Sequence, residues 1–390
     1  LGSIRPFFLS RETFSAFRGS NGYRRSFQRQ TAMKKTAKHL LECLGVGIGA
    51  LWLAGCAGQT RSRDDQPTVQ TLTADSIAIH QVINPHQWAV SAGKAVVQTL
   101  RMDSLFYVYS LPDFRFLYAW GRRGNGPGEM LSTQMLNAFD GDTDSLVLRF
   151  TAPATFRTYR VGQEAFTSTD TLAIRSDGRG FSLRRPFPHG FVGDIRIKNK
   201  EEKEVLYVCR PGTEAQTVDS LELPTKVKAK YSDRGTLIEL VRWNCPYLVV
   251  RGDRVAMVYQ MVPHVDFYRL TPEGKLILEA STGVPLDQDL ASRLETMAEA
   301  PRREFVAGFS ATDRYLYVSR PTVEVDPETG QASILEAKVQ VYRWEDGKLQ
   351  SELLLGLSSI DILVTRDDRY LFARNPLEDF DWVYVYRLDL

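Results

Sequence analysis

A turn carrying aspartate leads into an apolar strand six times along this chain. That recurrence constrains the fold more than any overall composition. The steps are Asp103-Ser104-Leu105, Asp144-Ser145-Leu146, Gly193-Asp194-Ile195, Asp253-Arg254-Val255, Asp313-Arg314-Tyr315 and Asp368-Arg369-Tyr370, spaced by 41, 50, 59, 60 and 55 residues. Aspartate suits such a turn because its carboxylate can accept from backbone N–H groups two residues on. The runs that follow are short, alternating and rich in β-branched and aromatic residues, as in Val255-Ala256-Met257-Val258-Tyr259 and Tyr315-Leu316-Tyr317-Val318. Several units continue into a further strand of similar ring, such as Phe267-Tyr268-Arg269-Leu270, Val341-Tyr342-Arg343-Trp344 and Val385-Tyr386-Arg387-Leu388.

A period of this size marks a repeat architecture. Six units predict an all-β, six-bladed β-propeller with four strands per blade over residues 71–390. The chain stops within the sixth unit, after strand 382–388. The segment 71–83 is therefore expected to complete that blade, and ring closure removes free sheet edges. A large β-sandwich, or two stacked β-domains, is the competing architecture. One helix interrupts the strands near 287–300: Leu290, Leu294 and Met297 fall at i, i+4 and i+7, and Pro301 stops it. It is expected on the rim between two blades, with partner docking as its other use.

The first part of the chain follows different rules. An apolar run, Leu40 to Leu53, follows Met33-Lys34-Lys35 and ends in Leu53-Ala54-Gly55-Cys56. A spanning helix needs about 20 apolar residues, whereas the core of a signal peptide needs about 7–15. The layout resembles the bacterial lipoprotein consensus. That resemblance implies a signal peptide over 33–55, cleavage before Cys56 and a lipid on its sulfur. Residues 1–32 then read as a mis-assigned upstream extension of the gene start. Residues 56–70 are polar and are expected to form a flexible tether.

Charge excludes one class of partner. Of 49 Lys/Arg and 47 Asp/Glu, nine and two fall in residues 1–55, so the 335 residues from Cys56 carry a formal net charge of −5. A nucleic-acid binder shows a basic footprint instead.

Gly121-Arg122-Arg123-Gly124-Asn125-Gly126-Pro127-Gly128-Glu129-Met130 and the stretch Phe305 to Val318 carry a second resemblance. They are similar to the TolB-like six-bladed propeller lipoproteins of Bacteroides-type bacteria, with Met130 where an aromatic is usual. The resemblance implies a fold and an envelope address, not a reaction. In related anaerobes, surface export goes with acidic residues after the lipidated cysteine. Ala57-Gly58-Gln59 stand there instead, so an outer-membrane lipoprotein facing the periplasm is expected, with the cell surface as the alternative. The glycine motif itself needs only positive φ and a tight path. A phosphate-cradling loop would need a helix N-terminus after it, and residues 131–140 do not read as one.

No reaction is legible. His80, His86, His189 and His264 have no metal-ligand spacing with Cys, Asp or Glu, and neither a metal nor a cofactor motif is present. A nucleophile elbow is absent, while a glycosidase-type carboxylate pair would not be visible in sequence. Cys209 and Cys245 are candidates for a disulfide in an oxidising compartment, or for two separate buried thiols. Arg122, Arg123, Arg184, Arg185 and His189 are the candidate ligand-facing residues, the last three in a loop of arginines, aromatics and prolines over 184–191. The expected function is a lipid-anchored module that binds an envelope protein or a glycan. The alternative is a hydrolase or lyase working in the central channel. Aromatics and scattered charges at the channel mouth favour binding; a cluster of acids or histidines favours catalysis.

Overall fold

The computed structural model describes residues 67–390 except 84, 127, 131–132, 137–144, 152–153, 174–181, 198–202, 212–215, 232–236, 288, 357–359 and 376–380. The proposed leader and Cys56 lie outside the described residues. The described residues form an all-β propeller with one α-helix.

Two N-terminal strands come first, β1 (Thr68–Leu72) and β2 (Ala74–Ala78). Sheet 1 holds β3 (Pro85–Ser91), β4 (Lys94–Thr99), β5 (Ser104–Ser110) and β6 (Phe116–Arg122), in that order. Sheet 2 follows with β7 (Thr133–Leu136), β8 (Ser145–Thr151), β9 (Ala154–Val161) and β10 (Phe166–Ala173). Sheet 3 has β11 (Ser182–Pro186), β12 (Val192–Ile197), β13 (Glu204–Arg210) and β14 (Gln216–Leu223). A hairpin of β15 (Lys226–Tyr231) and β16 (Leu237–Trp243) precedes sheet 4, which is β17 (Pro246–Arg251), β18 (Arg254–Tyr259), β19 (His264–Leu270) and β20 (Leu276–Gly283). Helix α1 (Leu290–Glu299) leads to β21 (Arg302–Glu304). Sheet 5 is built on β22 (Gly308–Ala311), β23 (Tyr315–Ser319), β25 (Ala332–Arg343) and β26 (Leu349–Leu355), with β24 (Thr322–Val325) inserted. Sheet 6 runs β27 (Asp361–Val364), β28 (Tyr370–Arg374), β29 (Trp382–Arg387) and then β2.

Five sheets are four-stranded blades, not the six expected; sheet 5 has seven strands. Its enlargement has two causes. β25 is twelve residues long, and its first part pairs with β24, which pairs with β21. At the other edge β1 adds in parallel to β26, Thr68 opposite Ser351 and Leu72 opposite Leu355. That strand starts inside the span expected as tether. β2 then pairs antiparallel with β29, so the N-terminus completes the sheet begun by the C-terminus, as the pattern predicts.

Apolar side chains pack between consecutive sheets. One core joins Phe106 and Val108 to Leu146 and Leu148, and a smaller one joins Val147 and Phe156 to Val192. Others join Leu206 to Val255, Val258 to Leu316, Val341 to Leu371, and Phe372 to Val97. The last of these closes the ring between sheets 6 and 1.

The second strands begin at Lys94, Ser145, Val192, Arg254, Tyr315 and Tyr370. Three of the aspartate turns, at Asp253, Asp313 and Asp368, mark such starts, and Asp144 lies outside the described residues. Asp103 instead precedes β5, a third strand; the matching turn of sheet 1 is Ala92-Gly93, both at positive φ, as a two-residue hairpin requires. Asp194 lies within β12 and is 1% exposed. In two of these turns a threonine holds the first amide of the strand. The Tyr315 and Tyr370 amides donate to Thr312 Oγ1 and Thr365 Oγ1, both at 3.1 Å.

Helix α1 packs Leu290, Leu294 and Met297 onto Trp243 and Val262, so it braces the β15–β16 hairpin as well as the rim. Glu295 pairs with Lys226 and Lys228 of that hairpin. No helix among the described residues is long and apolar enough to cross a membrane.

Candidate functional site

The first strand of each sheet faces the middle of the ring, and β22, β27, β3 and β7 approach one another in that order. Antiparallel pairing places the end of each second strand beside the start of the first. All six ends therefore surround one mouth of the central channel. A long donor side chain occupies each: Gln98, Arg149, Arg196, Gln260, Arg320 and Arg374. The sequence signal was there, as a cationic or amide residue closing or following an apolar run. It is inconspicuous because the periodic signal of a strand lies in the apolar residues before it.

On one side of the mouth these donors are satisfied. Arg374 donates through Nε to Asp361 Oδ2 at 2.7 Å and through Nη1 to the Pro85 carbonyl at 3.1 Å. Trp88 Nε1 donates to Asp361 Oδ1 at 3.0 Å. Asp361 is thus held on both oxygens by sheets 6 and 1. Gln98 clamps sheet 1 to sheet 2 by donating to the Thr133 carbonyl and accepting from the Met135 amide.

On the opposite side the pairing is uneven, and Asp194 Oδ1 is buried without a hydrogen-bond partner among the described residues. Arg184 and Arg196 both donate to Asp194 Oδ2, at 3.0 and 2.7 Å. Arg149 of sheet 2 and Arg185 of sheet 3 form no hydrogen bond or ion pair among the described residues. Burial, then repulsion from Arg149, pushes Arg185 down to about 10, with Tyr247 opposing. Burial and Arg184 likewise lower Arg149, against the pull of Asp194. Three guanidinium groups, those of Arg149, Arg184 and Arg196, thus share the Asp194 carboxylate, in a setting where charges are weakly screened.

Arg185 lies within electrostatic reach of sheets on both sides, Arg149 on sheet 2 and Tyr247 on sheet 4. The Tyr247 hydroxyl accepts from Gln260 Nε2 at 3.3 Å, which leaves its own hydrogen to donate. Its ring meets Phe309 of sheet 5 with centroids 5.3 Å apart. Arg320 is fully buried; Nη2 donates to the Tyr259 carbonyl at 3.0 Å, Nε and Nη1 have no hydrogen-bond partner among the described residues, and Tyr342 and Glu304 attract the charge.

The remaining sequence candidates are scattered. Arg122 and Arg123 leave β6 in the glycine motif. Arg123 donates to the Leu100 carbonyl at 2.8 Å, and Arg122 sits 3.6 Å from Glu129. Glu129 folds back to accept from the Gly126 amide at 2.8 Å. A Cβ on Gly124 would lie 1.9 Å from the Glu129 carboxylate. The motif's own glutamate therefore occupies the place an anion would take. Arg184 and Arg185 lie in β11, not in the loop expected there, because Phe187 and Phe191 are buried and draw the chain inward. His189 is exposed in the turn after β11, at the other end of that strand.

Cys209 and Cys245 are both buried, each as a free thiol. Burial pushes Cys245 up to about 12. Cys209 stands opposite Val192 in sheet 3, whereas Cys245 accepts from Arg242 Nη2 at 2.6 Å. His264 is buried between Asp266 and the Val284 carbonyl, 2.8 Å from each. Among the described residues no three His, Cys, Asp or Glu side chains gather as a metal site would need.

Fold and site together define a β-propeller with an arginine- and aromatic-lined channel. No family model matches the chain, and no curated protein matches it either. Among solved structures it is similar to a Bacteroides fragilis protein described only as exported, at 11% identity over 82% of this chain and 96% of that one, TM-score 0.45. It is also similar to the β-propeller domain of Cps50 (Swd1) from Myceliophteria thermophila, at 9% identity over 81% and 100%, TM-score 0.38. BamB from Moraxella catarrhalis matches at 10% identity over 81% and 100%, TM-score 0.33.

Proposed function

We propose that this chain is a lipid-anchored, TolB-like propeller of the cell envelope whose central channel binds an envelope protein or a glycan. The observation that carries this reading is the makeup of the mouth: arginines, glutamines and aromatic rings. Asp361, the acidic residue on the described inner strands, is spanned by Trp88 and Arg374. Glycoside hydrolysis needs two carboxylates free to act as acid and base or nucleophile, and guanidinium groups serve recognition better than proton transfer. Sheet 5 counts as a sixth blade in this reading. Its β22, β23, β25 and β26 keep the order of the other sheets, and apolar cores flank it on both sides. The anchor is Cys56 on the periplasmic side of the outer membrane, supported by the lipobox and by the residues after it.

Crosslinking the protein in its own envelope, followed by affinity capture and mass spectrometry, tests the reading. An abundant partner or glycan that disappears with Cys56→Ala is the expected result. Retained membrane attachment of Cys56→Ala, with no captured partner, overturns it.

A further inference from the structure

We infer that His264 carries a proton on both ring nitrogens and acts as a pH-sensitive latch, fastening the chain that leaves sheet 4 towards helix α1 onto strand β19. The latch depends neither on the channel nor on the lipid anchor.

Donors and acceptors around the buried ring do not balance for a neutral imidazole. Nδ1 lies 2.8 Å from the Val284 carbonyl, and Nε2 lies 2.8 Å from Asp266 Oδ1. A carbonyl and an ionised carboxylate only accept, whereas a neutral ring has one N–H and one bare nitrogen. A neutral His264 would set a nitrogen lone pair against an oxygen lone pair at hydrogen-bond distance. The imidazolium satisfies both sides. A proton on Asp266 instead is disfavoured, because the carboxylate already accepts from Ser281 Oγ on Oδ1 and from the Tyr259 hydroxyl on Oδ2 at 3.2 Å. Such bonds favour the ionised form. Burial opposes ionisation, but these bonds and His264 outweigh it and hold the Asp266 carboxyl below the ordinary aspartate value.

The surrounding groups leave this pairing intact. Tyr259 of β18 and Tyr268 of β19 stay neutral, since burial and then Asp266 push both up. Beyond Tyr259 lie the Cys245 thiol and, from sheet 5, the Arg320 guanidinium on the Tyr259 carbonyl. On α1, Arg293 is engaged by Asp287, and Glu295 by Lys226 and Lys228.

The ring holds a crossing of two chain segments. The Val284 amide donates to the Pro263 carbonyl at 2.9 Å, while the Val284 carbonyl accepts from His264. Gly283, at positive φ, passes so close that a Cβ there would lie 2.0 Å from the Pro263 oxygen. Just beyond, α1 seats Leu290 and Leu294 against Val262. Loss of one ring proton leaves either the Val284 carbonyl or Asp266 without its donor. Release of α1 uncovers the apolar surface of Trp243, Val262, Leu290 and Leu294. With Asp266 ionised, the contribution is complete below the unfolded histidine value of about 6.5 and is lost as pH rises and the folded ring gives up its proton.

Nitrogen NMR of the histidine rings, on the detergent-solubilised full chain, reads the charge, with His264→Gln assigning the resonances. Both nitrogens of His264 are expected at imidazolium shifts at about pH 7.5, roughly one unit above the ordinary histidine value. One protonated and one bare nitrogen there overturns the inference. Should His264→Gln not fold, substitution of the other four histidines, His39, His80, His86 and His189, assigns His264 by elimination. Hydrogen exchange reads the latch. Protection of residues 284–287 and of α1, corrected for intrinsic rates, should fall by about tenfold or more from about pH 6 to about pH 9, the scale of one charge-assisted hydrogen bond. Protection of β4 in sheet 1 should hold. His264→Gln, neutral at every pH, should show the lower protection throughout. A doubly protonated ring with pH-independent protection of α1, or with an equal change in β4, overturns the latch.

Discussion

The Tyr317 hydroxyl donates to Asp368 Oδ1 at 2.7 Å across the boundary between sheets 5 and 6. Arg314 donates to the other oxygen at 2.9 Å. Asp313 does the same work in both directions, accepting from Arg251 of sheet 4 and from Arg366 of the loop in sheet 6. The turn aspartates here tie neighbouring sheets together, beyond any role within their own turns.

Asp368→Ala strands a buried tyrosine hydroxyl and frees Arg314. A loss of about 1–3 kcal/mol is expected. Asp103→Ala, at an exposed turn, should stay within about 0.5 kcal/mol. Urea unfolding of the two variants reads the difference, and equal midpoints would refute it.

The glycine motif depends on its glutamate. Glu129→Ala removes the acceptor of the Gly126 amide and is expected to destabilise by about 1–2 kcal/mol. Gly124→Ala forces the Glu129 side chain out of its place and should cost at least as much. Thermal unfolding of both variants checks this, and the double variant should be less than additive because the two share one contact.

Arg185→Met keeps the apolar stem and removes the unpaired charge. In the absence of ligand it is expected to stabilise the fold by about 1 kcal/mol, since apolar replacements of buried ionic groups are often stabilising. A lower melting temperature than the parent would mean that Arg185 is satisfied in the free protein.

Stability is expected to fall in acid through Asp266. Burial alone would raise its pKa, but hydrogen bonds from His264 and Ser281 outweigh that and bring it below the ordinary aspartate value. A carboxylate depressed in the folded state contributes stability above its unfolded value of about 3.9, and that contribution disappears as pH falls through the folded value. The gap in unfolding free energy between parent and Asp266→Asn should therefore narrow as pH is lowered from about 6 to below 3. A constant gap would show that the hydrogen bonds do not discriminate the ionised form.

The two N-terminal strands should separate in a truncation series. Removal through Leu72 takes away β1, an added edge strand of sheet 5, and is expected to leave one cooperative transition. Removal through Ala78 also takes β2 from sheet 6 and opens the ring. Broad or absent cooperative unfolding is expected there, and calorimetry distinguishes the two.

Much of the fold was legible because a strand announces itself locally. Tyr315 to Val318 and Val255 to Tyr259 alternate and sit in second strands as their pattern implies, and Leu290, Leu294 and Met297 lie in helix α1. Phase was harder to read. Asp103 resembles the other turns in sequence but opens a third strand, while Ala92-Gly93, with no aspartate, makes the hairpin that counts. Arg184 and Arg185 were visible as candidates, but their neighbours were not. Arg149, Tyr247 and Phe309 come from three other sheets, and no local pattern records which sheets will meet.

The sequence by itself determined the strands, the repeat and the helix, since these follow from side-chain periodicity and turn chemistry over a few residues. Only the tertiary structure decided how many strands sheet 5 collects, which arginines find a carboxylate and which do not. Closing the ring brings residues a hundred positions apart to one mouth. Whether a charge there is neutralised depends on what the neighbouring blade presents, a long-range property that composition and spacing do not encode.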